Sequence, residues 1–143
     1  LLIGKKTAKS LKEGIGAAVS GQNTSMQIVG RDVVSGLPIE MDVASDIVFE
    51  GMKDDLNNIC TSIKMTLEKV PPELAKDIVK SGIYLTGGGS LIREFASYIT
   101  NVTNIKVNVA QNGEETVARG LGKVLSDEKY RRFGYSMKSR IFS

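Results

Sequence analysis

Three consecutive glycines, Gly87, Gly88 and Gly89, directly follow an apolar, β-prone segment at 83–86, and a helical pattern begins after them. A turn without side chains between a strand and a helix lets a ligand lie on main-chain N–H groups at the carboxyl end of the strand. Nucleotides are the usual occupants of such turns. A tight turn that binds nothing explains the glycines equally well, so the turn alone leaves both interpretations open.

Histidine is absent from the 143 residues, and cysteine occurs once, at Cys60. Within this chain, these counts exclude zinc sites and His-based acid–base or triad chemistry. Cys60 occupies an apolar position of a helical pattern, which favours a core residue over a nucleophile. We expect a cytoplasmic protein, because the sequence shows no disulfide pair, no signal peptide and no apolar run of the roughly 20 residues that span a bilayer.

The beginning of the chain predicts a small α/β lobe. Thr7 is the expected N-cap of a helix that ends near Gly14 or Gly16. From Ser25 the apolar period changes from helical to two, and the alternation resumes after a turn at 35–38. This pattern predicts a β-hairpin. The run Leu-Leu-Ile that opens the chain, without an initiator Met, resembles the end of a buried strand, so we expect an amino-terminal half to precede it.

The rest of the chain predicts a long helix and a βαβ unit. Ser45 is the expected cap of the long helix, whose apolar stripe consists of Val48, Met52, Leu56, Ile59, Ile63 and Leu67. A short helix at 73–80 leads to the strand before the glycines. The next helix, with Leu91, Phe95 and Ile99 inward, a strand at 105–109 and a helix at 114–125 complete a parallel unit. In this last helix, Ala118, Gly120 and Gly122 form a face of small residues, which predicts close packing against another helix or backbone.

Four ordered stretches carry a family resemblance. They are residues 3–16 (IGKKTAKSLKEGIG), 29–38 (VGRDVVSGLP), 67–75 with 82–89 (LEKVPPELA and GIYLTGGG), and 117–123 (VARGLGK). Each resembles a motif of the MreB family, the bacterial actin homologues of the actin/Hsp70/sugar-kinase superfamily. Because the four stretches span nearly all of residues 3–124, they are far more specific than a lone glycine turn.

The resemblance implies an α/β fold of the actin-like, ribonuclease H-like ATPase type, from the carboxy-terminal half of an MreB-like protein. Residues 1–46 would form the small subdomain lobe. Residues 47–128 would form the closing portion of the large subdomain, with the adenosine-binding turn. Residues 129–143 would be a basic, aromatic tail.

The resemblance also implies which residues meet ATP. The three glycines would pass beneath the adenosine and the first phosphate. Leu91 and Ile92 would flank the base from the helix that they begin. Lys12 and Glu13 would reach the adenine or the ribose from the small lobe. Without the resemblance, these last two residues would be interpreted as a solvated helix face.

The family's phosphate-binding hairpins, of D-x-G-x-[GT] type, are not found in this sequence. Five aspartates lack a glycine-rich turn beside them and receive no metal or catalytic role: Asp46, Asp54, Asp55, Asp77 and Asp127. We therefore predict that this chain alone does not hydrolyse ATP. The missing amino-terminal half would supply Mg²⁺, and the parent protein would hydrolyse ATP slowly, coupled to polymerisation.

The expected function is that of an MreB-like cytoskeletal protein, which binds ATP and self-associates into membrane-associated filaments that control cell shape. One alternative is a non-catalytic assembly module with the same fold. The other is a metabolic kinase or chaperone ATPase of the superfamily. That class would need a catalytic Asp in a substrate pocket or a linked substrate-binding domain, and neither is evident in the sequence.

The tail at 129–143 carries a net charge of +5 without any acid, which leaves −2 for the preceding residues. It interleaves cations with apolar and aromatic residues: Lys129, Arg131, Arg132, Phe133, Tyr135, Lys138, Arg140, Ile141 and Phe142. One hypothesis is contact with an anionic membrane surface, at the inner face of the cell membrane. A disordered, solubilising tail is the equally weighted alternative. Nucleic acid would be attracted by the same charge, but nothing beyond charge supports it.

Overall fold

A computed structural model describes residues 1–131. The first part contains helix α1 (Lys5–Ile15), strands β1 (Ser25–Arg31) and β2 (Pro38–Ala44), and helices α2 (Ser45–Glu68) and α3 (Pro72–Ser81). The second part contains β3 (Ile83–Leu85), α4 (Phe95–Thr103), β4 (Val107–Val109), α5 (Thr116–Ser126) and α6 (Glu128–Arg131). Two 3₁₀ turns, Gly88–Leu91 and Gly113–Glu115, precede α4 and α5.

The predicted hairpin is present. β1 and β2 pair antiparallel, with Ile28 opposite Met41. At the tip, the Asp32 carboxylate accepts hydrogen bonds from the Ser35 hydroxyl at 2.6 Å and from the N–H groups of Val34 and Ser35 at 3.2 and 3.1 Å. These hydrogen bonds lower the pKa of Asp32, because they stabilise the carboxylate. The Ser35 hydroxyl has the largest effect, and the two N–H groups come next. The tip is therefore an Asx-type turn with a defined shape.

Neither predicted side-chain cap is present, so these two predictions were wrong. α1 begins before Thr7, which lies inside the first turn, and α2 begins at Ser45 itself, with Ala44 at the N-cap position. The reason in the second case is that β2 continues into α2 without a loop. Ser45 is consequently buried, and its N–H donates to the Thr24 carbonyl at 2.8 Å.

Two apolar clusters form the core, and α2 contacts both. The larger cluster contains Ala18, Leu56, Cys60, Phe95 and Ile99. The smaller one contains Leu11, Ile15, Ile28 and Val43, with Val48 of α2 packed against it. The boundary predicted between residues 46 and 47 falls in the first turn of this shared helix, and the division into lobes stays a prediction.

Cys60 is a core residue, as the sequence predicts. Its side chain is buried within the larger cluster. This burial raises the pKa of the Cys60 thiol, although the charge of Lys64 opposes the shift. The thiol therefore stays protonated near neutral pH, which is the state expected of a packing residue.

β3 and β4 form a two-stranded parallel sheet with Tyr84 opposite Asn108, and α4 is the crossover between the strands. Gly82 precedes β3 with φ +84°, and a Cβ at this position would lie 2.6 Å from the Lys106 carbonyl oxygen. Only glycine therefore allows the chain to enter β3 this close to β4.

The helix expected directly after the glycines begins later. The 3₁₀ turn Gly88–Leu91 follows them, Glu94 adopts the left-handed conformation with φ 59°, and α4 starts at Phe95. Leu91 is therefore 63% exposed instead of facing the core, which corrects that prediction. Phe95 and Ile99 are buried as predicted, because they lie within the regular part of α4.

One face of α5 has no neighbour in the described part of the chain. A Cβ at Gly120 or Gly122 would meet no atom within 4 Å, and Val117, Leu121 and Leu125 are exposed. The described side chains of residues 1–130 therefore do not supply the close packing that the small residues of this helix predict.

The tail begins at α6, where the Lys129 ammonium lies 5.6 Å from the centre of the Tyr130 ring. Of Arg131 only the helical backbone is described. The other tail residues assigned to membrane contact lie outside the described residues: Arg132, Phe133, Tyr135, Lys138, Arg140, Ile141 and Phe142. Within residues 1–131, no helix is long and apolar enough to cross a membrane.

Candidate functional site

A cavity of about 520 Å³ lies between α1 and the turn that follows β3. Its lining consists of Lys9, Lys12, Glu13, Gly88, Gly89, Leu91, Ile92 and Glu114. Six of the seven residues that the resemblance assigns to the nucleotide thus line one cavity, although they come from distant parts of the sequence. Their role in binding stays a prediction. Leu91 and Ile92 reach the cavity from the 3₁₀ turn and the residue after it, not from a helix that they begin.

Gly87, the seventh residue, shapes the turn without lining the cavity. Its φ of +87° lies in the region where a side chain would be strained. Its N–H donates to the Gly113 carbonyl at 3.1 Å, and its carbonyl accepts from the Ser90 N–H at 3.1 Å and from the Ser90 hydroxyl at 2.6 Å. The turn is therefore held by the protein's own hydrogen bonds.

Gly113 is a structural residue of this site that the sequence did not reveal. A Cβ on Gly113 would lie 3.0 Å from the Ser90 Oγ and 3.1 Å from the Gly87 nitrogen. The Gly113 carbonyl also accepts a hydrogen bond from the Thr86 hydroxyl at 3.0 Å. The dipeptide Asn112-Gly113 predicts a turn, but a turn signal does not show which distant segment the turn contacts.

The main chain of the glycine turn faces open space. A Cβ built on Gly87 or Gly89 would meet no atom within 4 Å, and one on Gly88 would meet only Glu114, with Oε1 at 3.3 Å and Cγ at 4.0 Å. This space has the size and shape to let a nucleoside approach the backbone directly, so the residues present fit the group that the resemblance implies.

Arg93 fixes α1 against the segment that carries Leu91 and Ile92. The Ala18 N–H donates to the Arg93 carbonyl at 2.8 Å, and the Arg93 guanidinium donates to the Gly14 carbonyl at 2.8 Å. A cation at the carboxyl end of a helix is also favoured by the helix dipole. The two walls of the cavity are therefore joined directly. No sequence signal marked Arg93 for this role.

The charged groups of the cavity balance each other. Lys9 and Glu13 form an exposed ion pair at 3.6 Å, of a kind that contributes about 0–1 kcal/mol. Lys12 and Glu114 form no ion pair with any other group in residues 1–130. With two cations and two carboxylates, the cavity has no net charge, which suits a nucleoside better than a chain of phosphates.

A larger groove of about 760 Å³ lies between α2, α3 and the start of β3. Its walls are mainly apolar and include Ile59, Ile63 and Ile78. Binding sites for small polar molecules combine an apolar wall with a few convergent polar groups. The cavity of about 520 Å³ brings four charged side chains together with accessible glycine backbone, so we assign the candidate site to it.

Two of the aspartates without an assigned role have structural contacts. Asp46, in the first turn of α2, accepts a hydrogen bond from the Gly21 N–H at 2.7 Å. Asp127 accepts one from the Lys129 N–H at 2.9 Å. These carboxylates hold loops and helix ends in place.

A family model described as MreB/Mbl protein matches residues 1–132. The chain belongs to the MreB/Mbl family. The cell shape-determining protein MreB of Escherichia coli strain K12 is 38% identical over 125 residues, which cover 87% of this chain and 36% of that protein. The cell shape-determining protein Mbl of Bacillus subtilis strain 168 is 35% identical over 128 residues, covering 89% and 38%. This MreB/Mbl chain therefore spans less than two-fifths of the length of these relatives.

Solved structures confirm the fold class. The chain is similar to MreB5 of Spiroplasma citri bound to ADP, with a TM-score of 0.85, 35% identity, and coverage of 93% of this chain and 40% of that one. MreB5 of the same organism bound to AMPPNP gives a TM-score of 0.84, 36% identity, and coverage of 93% and 39%. The fold is thus α/β and actin-like, as the sequence predicts.

Proposed function

We propose that this chain supplies the adenosine side of the ATP site in an MreB-like protein. The observation that carries the proposal is the convergence of Lys12 and Glu13 with the glycine turn on one cavity. The structures of a similar protein bound to ADP and to AMPPNP support it. The chain covers under two-fifths of its relatives, so binding and polymerisation are proposed for the protein that contains this segment.

Each wall of the cavity has a distinct task in this proposal. The backbone of Gly88 and Gly89 lies beneath the adenosine and the first phosphate, because neither glycine has a side chain of its own that would keep the ligand away. The exposed Leu91 and half-buried Ile92 offer apolar surface to the flat base. Lys12 and Glu13 provide a donor and an acceptor from α1. The outer phosphates and Mg²⁺ would be held by a part of the protein outside this chain.

The expected result for Gly89→Val is at least a tenfold loss of affinity for ADP and ATP. The new side chain fills the space above the turn, while the free protein has no atom within 4 Å for it to displace. Isothermal titration calorimetry measures the affinity, and a denaturation curve checks that stability is nearly unchanged.

Gly51→Val is the matched control for this experiment. Gly51 lies in α2, a Cβ there also meets no atom within 4 Å, and the residue does not line the cavity. We expect unchanged nucleotide affinity. If Gly89→Val binds nucleotide like the wild type, the cavity is not the site.

The wider function follows from the family. We propose that the protein self-associates into filaments in the cytoplasm and takes part in controlling cell shape. The last part is supported by the relatives, which are named cell shape-determining proteins. Filament formation in a protein that binds no nucleotide would favour the alternative of a non-catalytic assembly module.

We also propose that residues 129–143 contact anionic membrane at the inner face of the cell. Deleting them is expected to lower co-sedimentation with anionic phospholipid vesicles at least tenfold, because each Lys or Arg near such a surface contributes about 1 kcal/mol. The binding should weaken as salt rises. Vesicles of zwitterionic lipid are the control. Undiminished binding after the deletion would support the solubilising tail instead.

A further inference from the structure

Glu114 lies on the wall of the cavity opposite α1, and neither the sequence patterns nor the family motifs pointed to it. It belongs to the 3₁₀ turn Gly113–Glu115, which is held against the glycine turn by the hydrogen bond between the Gly87 N–H and the Gly113 carbonyl. Its carboxylate lies over Gly88, with Oε1 3.3 Å from the position of a Cβ on that residue. The turn therefore holds the carboxylate next to the backbone that the ligand would approach.

The Glu114 carboxylate is available to a ligand. It is solvent-exposed and makes no ion pair or side-chain hydrogen bond with any group in residues 1–130. Glu13, the other carboxylate of the cavity, is paired with Lys9 at 3.6 Å. Glu114 is thus a carboxylate of the site without an ion-pair partner among the described side chains.

We propose that Glu114 is a specificity-determining residue that accepts a hydrogen bond from the nucleoside part of the ligand. This inference rests on the nucleotide site proposed above and names the part of the ligand that this residue recognises. An ionised carboxylate can only accept hydrogen bonds. The donors on an adenine nucleoside are the exocyclic amine of the base and the hydroxyls of the ribose.

The charge of Glu114 separates the nucleoside from the phosphates. Two negative groups in contact repel each other, so a phosphate does not bind against this carboxylate. The adenosine lies at the Glu114 end of the cavity, and the phosphates extend away from it. Both the amine of the base and the hydroxyls of the ribose can donate a hydrogen bond to this carboxylate. Ligand analogues that lack one or the other identify the donor.

The test uses calorimetry to measure the binding of three ligands to the protein that contains this segment, as the wild type and as the Glu114→Ala variant. The ligands are ADP, purine riboside 5′-diphosphate, which lacks the exocyclic amine, and 2′,3′-dideoxy-ADP, which lacks the ribose hydroxyls. Glu114→Ala removes a hydrogen bond to a charged group, so we expect its affinity for ADP to fall about tenfold. The loss should disappear for one analogue, and that analogue identifies the donor.

Two further variants make the result specific. Glu114→Gln keeps an acceptor oxygen, so its ADP affinity should fall between those of the wild type and Glu114→Ala. Glu115→Ala removes the neighbouring carboxylate, which does not line the cavity, and should bind all three ligands like the wild type.

Higher or unchanged ADP affinity in Glu114→Ala would overturn the inference and leave the nucleotide site standing. An equal loss for all three ligands would also overturn it, because the carboxylate would then act on something other than a nucleoside donor. If the wild type itself binds no ADP, the proposed nucleotide site fails, and the inference fails with it.

Discussion

Ile99→Ala is expected to lower the free energy of unfolding by about 2–5 kcal/mol. Ile99 in α4 is 0% exposed and packs in the larger core cluster with Leu56, Cys60 and Phe95. The substitution removes buried methyl and methylene groups and leaves a cavity between α2 and α4, which a close-packed interior closes only in part. Chemical denaturation of the two proteins measures the difference.

Ile59→Ala is the control for this prediction, since it makes the same chemical change on α2 at a side chain that is 44% exposed. Less apolar surface is lost from the interior, so we expect a loss of about 1 kcal/mol or less. Equal losses for the two variants would contradict the assignment of Ile99 to the centre of the core.

Gly113→Val is expected both to destabilise the fold by about 1–3 kcal/mol and to lower nucleotide affinity at least tenfold. A Cβ at this position would lie 3.0 Å from the Ser90 Oγ and 3.1 Å from the Gly87 nitrogen, before the two methyl groups of valine are added. The clash pushes the two turns apart and breaks the hydrogen bond from the Gly87 N–H to the Gly113 carbonyl. Denaturation and calorimetry measure the two effects.

Measuring both stability and nucleotide affinity for Gly113→Val separates an effect on the glycine turn from a general loss of stability. Gly51→Val inserts the same side chain where no atom lies within 4 Å, and should change neither stability nor affinity appreciably. If Gly113→Val lowers stability but binds nucleotide normally, the geometry of the glycine turn does not control binding. That result would contradict the proposed role of Gly113.

The regular elements were predictable because their patterns are local. The period-two alternation around residues 26–28 and 39–43 predicted the strands of the hairpin, β1 and β2. The apolar spacing of the long helix predicted α2. Helix starts were not predictable to the residue. Ser45 has the chemistry of a cap, but β2 runs directly into α2, and this tertiary connection makes Ser45 a buried helical residue.

The segment after the glycines shows a second limit of prediction from the sequence. The sequence places apolar residues at 91, 95 and 99, which suit one continuous helix. The turn is instead closed by the Ser90 hydroxyl on the Gly87 carbonyl and by the contact with Gly113. A 3₁₀ turn and a left-handed Glu94 accompany these contacts before α4 begins. Leu91 is exposed as a result, and it faces the cavity instead of the core.

The sequence by itself determined the family, the α/β fold class, the element order and most of the inward positions of α2 and α4, because these depend on residue types and their spacing along the chain. It also placed the glycines at the end of a strand. Only the tertiary structure decided that α1 and the glycine turn share a cavity, and that Arg93, Gly113 and Glu114 hold or line it. Those contacts join residues far apart in the chain, and no local pattern specifies how two distant turns meet.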